Sequence, residues 1–152
     1  MDLEIDLRLL DPRYGSSFPL PAVATSGAAA IDLRAAVDAP LHLDPGSCVL
    51  IPSGIAIHIG NPGFAALLLP RSGLGHRGLV LGNGIGLIDS DYQGEIRMSC
   101  WNRGENTISI EPGDRIAQLL VIPVATPVFR IVDSFADTTG RGQQGFGHSG
   151  TR

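Results

Sequence analysis

An all-β fold, of sandwich, barrel or jelly-roll type, is predicted by three features of the 152-residue sequence. Twenty glycines and eleven prolines are too many for a helical chain and suit short strands joined by tight turns. Three triplets, Asp44-Pro45-Gly46, Asn61-Pro62-Gly63 and Glu111-Pro112-Gly113, carry proline and glycine where a type II turn needs them. Between the turns lie apolar or alternating runs roughly ten residues apart, and no segment sustains a helical period. The length fits one domain with a sizeable core.

Taken in order, residues 3–10 alternate Leu3, Ile5, Leu7 and Leu9 with Glu4, Asp6 and Arg8, a strand pattern. A turn-rich stretch, 11–21, ends in Pro-Leu-Pro. The alanines of 25–37 suit a helix, but Ile-Asp-Leu followed by Pro40 suits a strand, and the strand is preferred. It places the Asp32 carboxylate on the opposite face from Ile31 and Leu33. Further strand-like runs cover 48–59, 64–70, 95–102, 107–111, 115–124 and 127–132. In the third of these, Ile96, Met98 and Cys100 alternate with Arg97 and Ser99, as in a half-buried strand. Ser72 is placed to cap one short helix over 73–78, which its glycines weaken. A β core over 1–135 gives way to a glycine-rich arm over 136–152, too poor in apolar residues to order itself.

Composition excludes several functions. A net charge of −4 without a basic run disfavours a nucleic acid polymer as partner. All eleven basic residues are Arg, so a bound phosphate would meet guanidinium forks. The amino terminus lacks the apolar stretch of a signal peptide, and no apolar run reaches membrane-spanning length. Cys48 and Cys100 indicate neither a disulfide framework nor a zinc site, and a cytoplasmic protein with free thiols is expected. His42, His58, His76 and His148 show no ligand spacing. Gly73 to Gly78 fit G-x-G-x-x-G, but no β-α-β unit surrounds them.

The chemistry concentrates in 70–104. An Arg-Ser-Gly turn opens it, a glycine-studded hairpin follows, and Asp89-Ser90-Asp91-Tyr92 completes it. Glycines let a backbone approach a flat ligand closely, and the flanking charges suit an anion beside an acid–base group. Read alone, Asp89 and Asp91 are equally turn residues, and Asp91 is left as one. Asp114 and Arg115 read as a surface or interface ion pair, with Arg115 alternatively bracing a neighbouring subunit. Arg97, on the polar face of its strand, is solvated, intersubunit or a substrate contact, and Trp101 is packing. Arg141 and Phe146 supply a phosphate fork and a stacking face on an arm able to close over a nucleotide.

Five blocks, AAAIDLRA (28–35), PRSGLG (70–75), GNGIGLIDSDYQGE (82–95), GDRIAQLL (113–120) and RGQQGFGHSG (141–150), resemble in order those of the trimeric dUTP pyrophosphatases. The resemblance implies a distorted jelly-roll or β-clip subunit with at most one short helix. It implies a homotrimer with active sites at subunit interfaces and a swapped carboxy-terminal arm. The implied substrate is dUTP with Mg2+, and the products are dUMP and pyrophosphate. By similarity, Asp89 activates water, while Asn83 and the hairpin backbone around Leu87 and Ile88 read uracil. Tyr92 packs under the deoxyribose; Arg71, Ser72, Gly73 and Gln118 hold phosphates, and Arg97 is a further candidate. Arg141 and Phe146 arrive on the arm, and Asp32 orders Mg2+-bound waters without ligating the metal directly. Ala30 and Gln144 stand where the family usually has Gly. The rivals are a dCTP deaminase, which shares the fold but needs a glutamate base, and a non-catalytic nucleotide sensor.

Overall fold

The computed structural model describes residues 3–145. Among these, the elements run β1 (Asp6–Leu9), β2 (Ile31–Arg34), β3 (Leu41–Leu43), β4 (Cys48–His58), β5 (Phe64–Pro70), α1 (Ser72–His76), β6 (Leu79–Leu81), β7 (Gly86–Ile88), β8 (Glu95–Asn102), β9 (Ile108–Ile110) and β10 (Arg115–Pro123). The strands form two four-stranded sheets, β1-β4-β8-β6 and β2-β10-β5-β7, and a two-stranded ribbon, β3-β9. All named pairings are antiparallel. The fold is the expected all-β jelly-roll type with one short helix.

The inner faces of the two sheets make the core. On β8, Ile96, Met98 and Cys100 turn inward and Arg97 is exposed, as the alternation predicts, whereas Trp101, expected to pack, stands on the outer face at 39% exposure. Leu33 of β2, Ala117 and Leu119 of β10 and Ala66 and Leu68 of β5 are buried in the same cluster. Burial pushes the Cys100 thiol up to about 12, the mark of an inert core cysteine.

A corner over residues 11–18 packs on one end of this core. Arg13 donates from Nε to Asp11 Oδ1 at 2.9 Å and lies 4.6 Å from the Phe18 ring centroid. Tyr14 meets Phe18 edge-on and donates its hydroxyl to the Ser53 carbonyl at 2.8 Å. The Arg13 guanidinium holds the Asp11 carboxyl below its ordinary range. The amides of Leu10 and Asp11 both reach the Gly54 carbonyl, at 2.8 and 3.0 Å.

Four local expectations are corrected. Gly46 and Gly113 take the left-handed φ of a type II turn (81° and 85°), but Gly63 does not. There Asn61 Oδ1 accepts the Gly63 N–H at 2.9 Å, so the side chain supplies the turn. Ser72 is the first helical residue rather than its cap; Arg71 holds that position (φ −86°, ψ 138°) and makes no side-chain cap bond. Its guanidinium is drawn to Asp32 instead, at 2.8 Å.

The glycine-studded hairpin is a crossing between sheets. β6 pairs with β8 and β7 pairs with β5, so the flanking strands never pair with each other. The run 127–132 forms no strand: Val128, Phe129 and Ile131 are 97, 87 and 97% exposed. Its residues pair with none of the named strands.

Candidate active site

A cleft of about 930 Å3 opens where the outer face of β2 and β10 meets α1, with residues 106–110 as the opposite wall. Sheet register explains who stands there. Asp32 lies opposite Gln118, and Gln118 opposite Leu69, so one row crosses β2, β10 and β5. Directly opposed residues share a face, and the neighbours Leu33, Ala117 and Leu68 take the buried one.

One carboxylate ties the cleft together. Asp32 Oδ1 is 2.8 Å from Arg71 Nε, and Oδ2 accepts Arg115 Nη1 at 3.2 Å. Arg71 Nη1 also donates to the Arg115 carbonyl at 3.0 Å, and Gln118 Nε2 donates to the Pro70 carbonyl at 2.9 Å. Ser72 and Gly73 line the same cleft from the first turn of α1, with Arg77 beyond them. Three guanidiniums (Arg71, Arg77, Arg115) thus face two carboxylates (Asp32, Asp114), and the surplus charge suits an anion with several oxygens.

The candidates of the sheet crossing stand elsewhere. Asn83 is exposed in the turn, where its carbonyl accepts the Ile85 N–H at 2.9 Å. Leu87 pairs with Leu67, and Ile88 with Ala66, at the β7 edge of the sheet that carries Asp32 at its opposite edge. With strands about 4.8 Å apart, three spacings separate those edges by roughly 14 Å. Asp89 presents an exposed side chain, and its carbonyl accepts the Tyr92 N–H at 3.2 Å. The Ser90 carbonyl accepts the Gly60 N–H at 2.9 Å, fastening this turn to the end of β4. Tyr92 is 43% exposed and donates its hydroxyl to the Glu95 carbonyl at 3.0 Å.

One chain therefore brings Asp32, Arg71, Ser72, Gly73 and Gln118 together, and gathers Asn83, Leu87, Ile88, Asp89 and Tyr92 separately along one stretch. Arg97 joins neither group; it stands on the outward face of β8, 3.9 Å from Glu95. Arg141 sits in an exposed turn, donating from Nε to the Gln144 carbonyl at 3.0 Å. Phe146 and His148 lie outside the described residues.

The surface ion pair expected of Arg115 forms, but not with Asp114. Its partner is Asp32, while Asp114 accepts the Glu111 N–H at 2.8 Å within the turn. The Arg77 side of the cleft and its far wall carried no signal in the sequence.

Among the described residues, no group of three His, Cys, Asp or Glu could hold a metal ion. Asp32 has both oxygens turned to guanidiniums, yet each oxygen keeps a lone pair for a water on a hydrated cation. That suits Mg2+, which keeps several waters and takes its other ligands from phosphates.

A family model described as dUTPase matches residues 16–150. The chain is 58% identical over 153 residues to the deoxyuridine 5'-triphosphate nucleotidohydrolase of Shewanella baltica (strain OS185), covering 100% of both. It is 56% identical over 150 residues to that of Salmonella arizonae, covering 98% of each. A solved structure of the Staphylococcus bacteriophage 80alpha dUTPase with dUPNHPP superimposes with a TM-score of 0.84 at 26% identity, covering 97% of this chain and 98% of that one.

Proposed function

This chain belongs to the dUTPase family of enzymes, and from that premise we propose that it hydrolyses dUTP to dUMP and pyrophosphate at sites shared between the subunits of a homotrimer. The observation that carries the reading is the split of the site residues into an arginine-lined cleft and a separate edge bearing Asp89. Roughly 14 Å of sheet lies between the two within one chain. A cleft and an edge from different copies can face each other across one nucleotide.

The nucleoside is read at the edge. Uracil presents acceptor, donor and acceptor along its pairing side, which an amide such as Asn83 and the backbone to Ile88 can match. Cytosine offers a donor where uracil has an acceptor. Close-packed backbone leaves no room for the 5-methyl of thymine, and the Tyr92 ring against C2′ turns away a ribose hydroxyl. The triphosphate extends to Arg71, Ser72, Gly73 and Gln118. Bound Mg2+ would supply charge neutralisation on the phosphate oxygens, with Asp32 accepting from its waters.

The Asp89 carboxylate takes a proton from a water aligned with the α-phosphorus. The water oxygen bonds to phosphorus as the bond to the α–β bridging oxygen breaks, and pyrophosphate departs. Arg141 and Phe146 close from the arm, gripping the terminal phosphates and covering the base. In the cell the reaction limits uracil in DNA and supplies dUMP for thymidylate synthesis. The location proposed is cytoplasmic; no helix among the described residues is long and apolar enough to cross a membrane.

Pyrophosphate release measured with dUTP, dCTP, dTTP and UTP, with and without Mg2+, tests the assignment. Turnover of dUTP alone, dependent on Mg2+, is expected. Ammonia release from dCTP would turn the reading toward a deaminase, and binding of dUTP without turnover toward a sensor.

A further inference from the structure

Gly94 lies five residues after Asp89, and its backbone lies outside the left-handed region. Any L residue can adopt that conformation, so φ does not account for a glycine there. The space above its Cα does. A Cβ at position 94 would overlap the Tyr92 hydroxyl and stand 2.6 Å from Cζ and 3.1 Å from Cε2 of the same ring. The three atoms nearest such a Cβ are all Tyr92 atoms. The ring lies back across residue 94, and its hydroxyl is moored on the Glu95 carbonyl at 3.0 Å.

We propose that Gly94 is a positioning residue for sugar selectivity: its missing side chain lets the Tyr92 ring lie where it excludes a ribose 2′-hydroxyl. The inference rests on the sugar-side role given to Tyr92 above. Two torsions move the ring, whereas the backbone beneath it is tied by the Tyr92 amide to the Asp89 carbonyl at 3.2 Å. An added methyl therefore displaces the ring and leaves the Asp89 turn in place. Selectivity drops while folding and the chemical step persist.

The test compares kcat/KM for dUTP and UTP in the wild type, Gly94→Ala, Tyr92→Phe and Tyr92→Ala, with Mg2+ present and thermal melting run alongside. Gly94→Ala is expected to melt near the wild type and to lose roughly tenfold of its preference for dUTP over UTP, approaching Tyr92→Ala. Tyr92→Phe, which keeps the ring and loses its mooring, loses about threefold. A folded Gly94→Ala with wild-type preference overturns the role of Gly94. Should that variant fail to fold, Tyr92→Phe decides, and an unchanged preference there overturns the proposal. A wild type that hydrolyses dUTP and UTP equally refutes instead the sugar-side reading of Tyr92, and with it this inference.

Discussion

The cleft around Asp32 and the edge from Asn83 to Glu95 are held in place by different means. In the cleft, side chains hold side chains: Asp32 takes a guanidinium on each oxygen, at 2.8 and 3.2 Å. At the edge, backbone holds backbone, through the Gly60–Ser90 and Asp89–Tyr92 bonds at 2.9 and 3.2 Å, and side chains pack directly over glycines. Gly86 faces Leu68 and Gly94 faces Tyr92, each where a Cβ would come within 3.0 Å. A charged cleft is thus vulnerable to losing a polar group, and the edge to gaining a methyl.

The sharpest way to break that contrast is Asp89→Asn, which keeps the shape of the edge and removes its one proposed base. Turnover of dUTP should fall by at least about a hundredfold while calorimetry still detects binding; an unchanged rate removes Asp89 from the chemistry. Next in size is Gly86→Ala. The added Cβ would meet Leu68 Cβ at 2.9 Å, between paired strands that cannot step aside. Urea unfolding should show a loss of about 1–3 kcal/mol, and a loss below the lower figure means that β7 has slack.

A smaller effect is expected from Asp32→Asn. Both guanidiniums lose their common anchor, so kcat/KM for dUTP should fall roughly tenfold. The melting temperature should hardly move, because these ion pairs are partly exposed and screened. A large drop in melting temperature at constant kcat/KM would make the cluster a structural brace. The smallest effect concerns acid. Asp11 is depressed in the folded protein by Arg13, so its contribution is complete above the ordinary carboxylate pKa of about 4 and is lost as pH falls through the folded value. Asp11→Asn should flatten the stability profile below pH ~4 and leave it parallel above, measured by urea midpoints.

The two regions also differ in how far the sequence disclosed them. The bounds of β5 and β8 were legible because apolar content and alternation are local properties. The crossing between sheets was not, since a turn with glycines looks the same whether its flanking strands pair together or with β8 and β5. The 127–132 run has the composition of a strand, but composition does not say whether an edge waits for it. The arginine turn advertised an anion by itself. Its union with Asp32, 39 positions earlier, and of Asp32 with Arg115, 83 positions later, depends on the register of β2 against β10. Such long-range register is written in no single stretch.

The bond from the Gly60 amide to the Ser90 carbonyl, at 2.9 Å, ties the proposed catalytic turn to the chain just past the longest strand of the described residues. The strand it adjoins is itself held on both sides, Cys48–Pro52 and Ala56 pairing with β8 and Ile55–His58 with β1. Catalytic competence and global order should then vanish at one denaturant concentration, with inactivation and spectroscopic unfolding curves superimposed, instead of activity fading ahead of the fold.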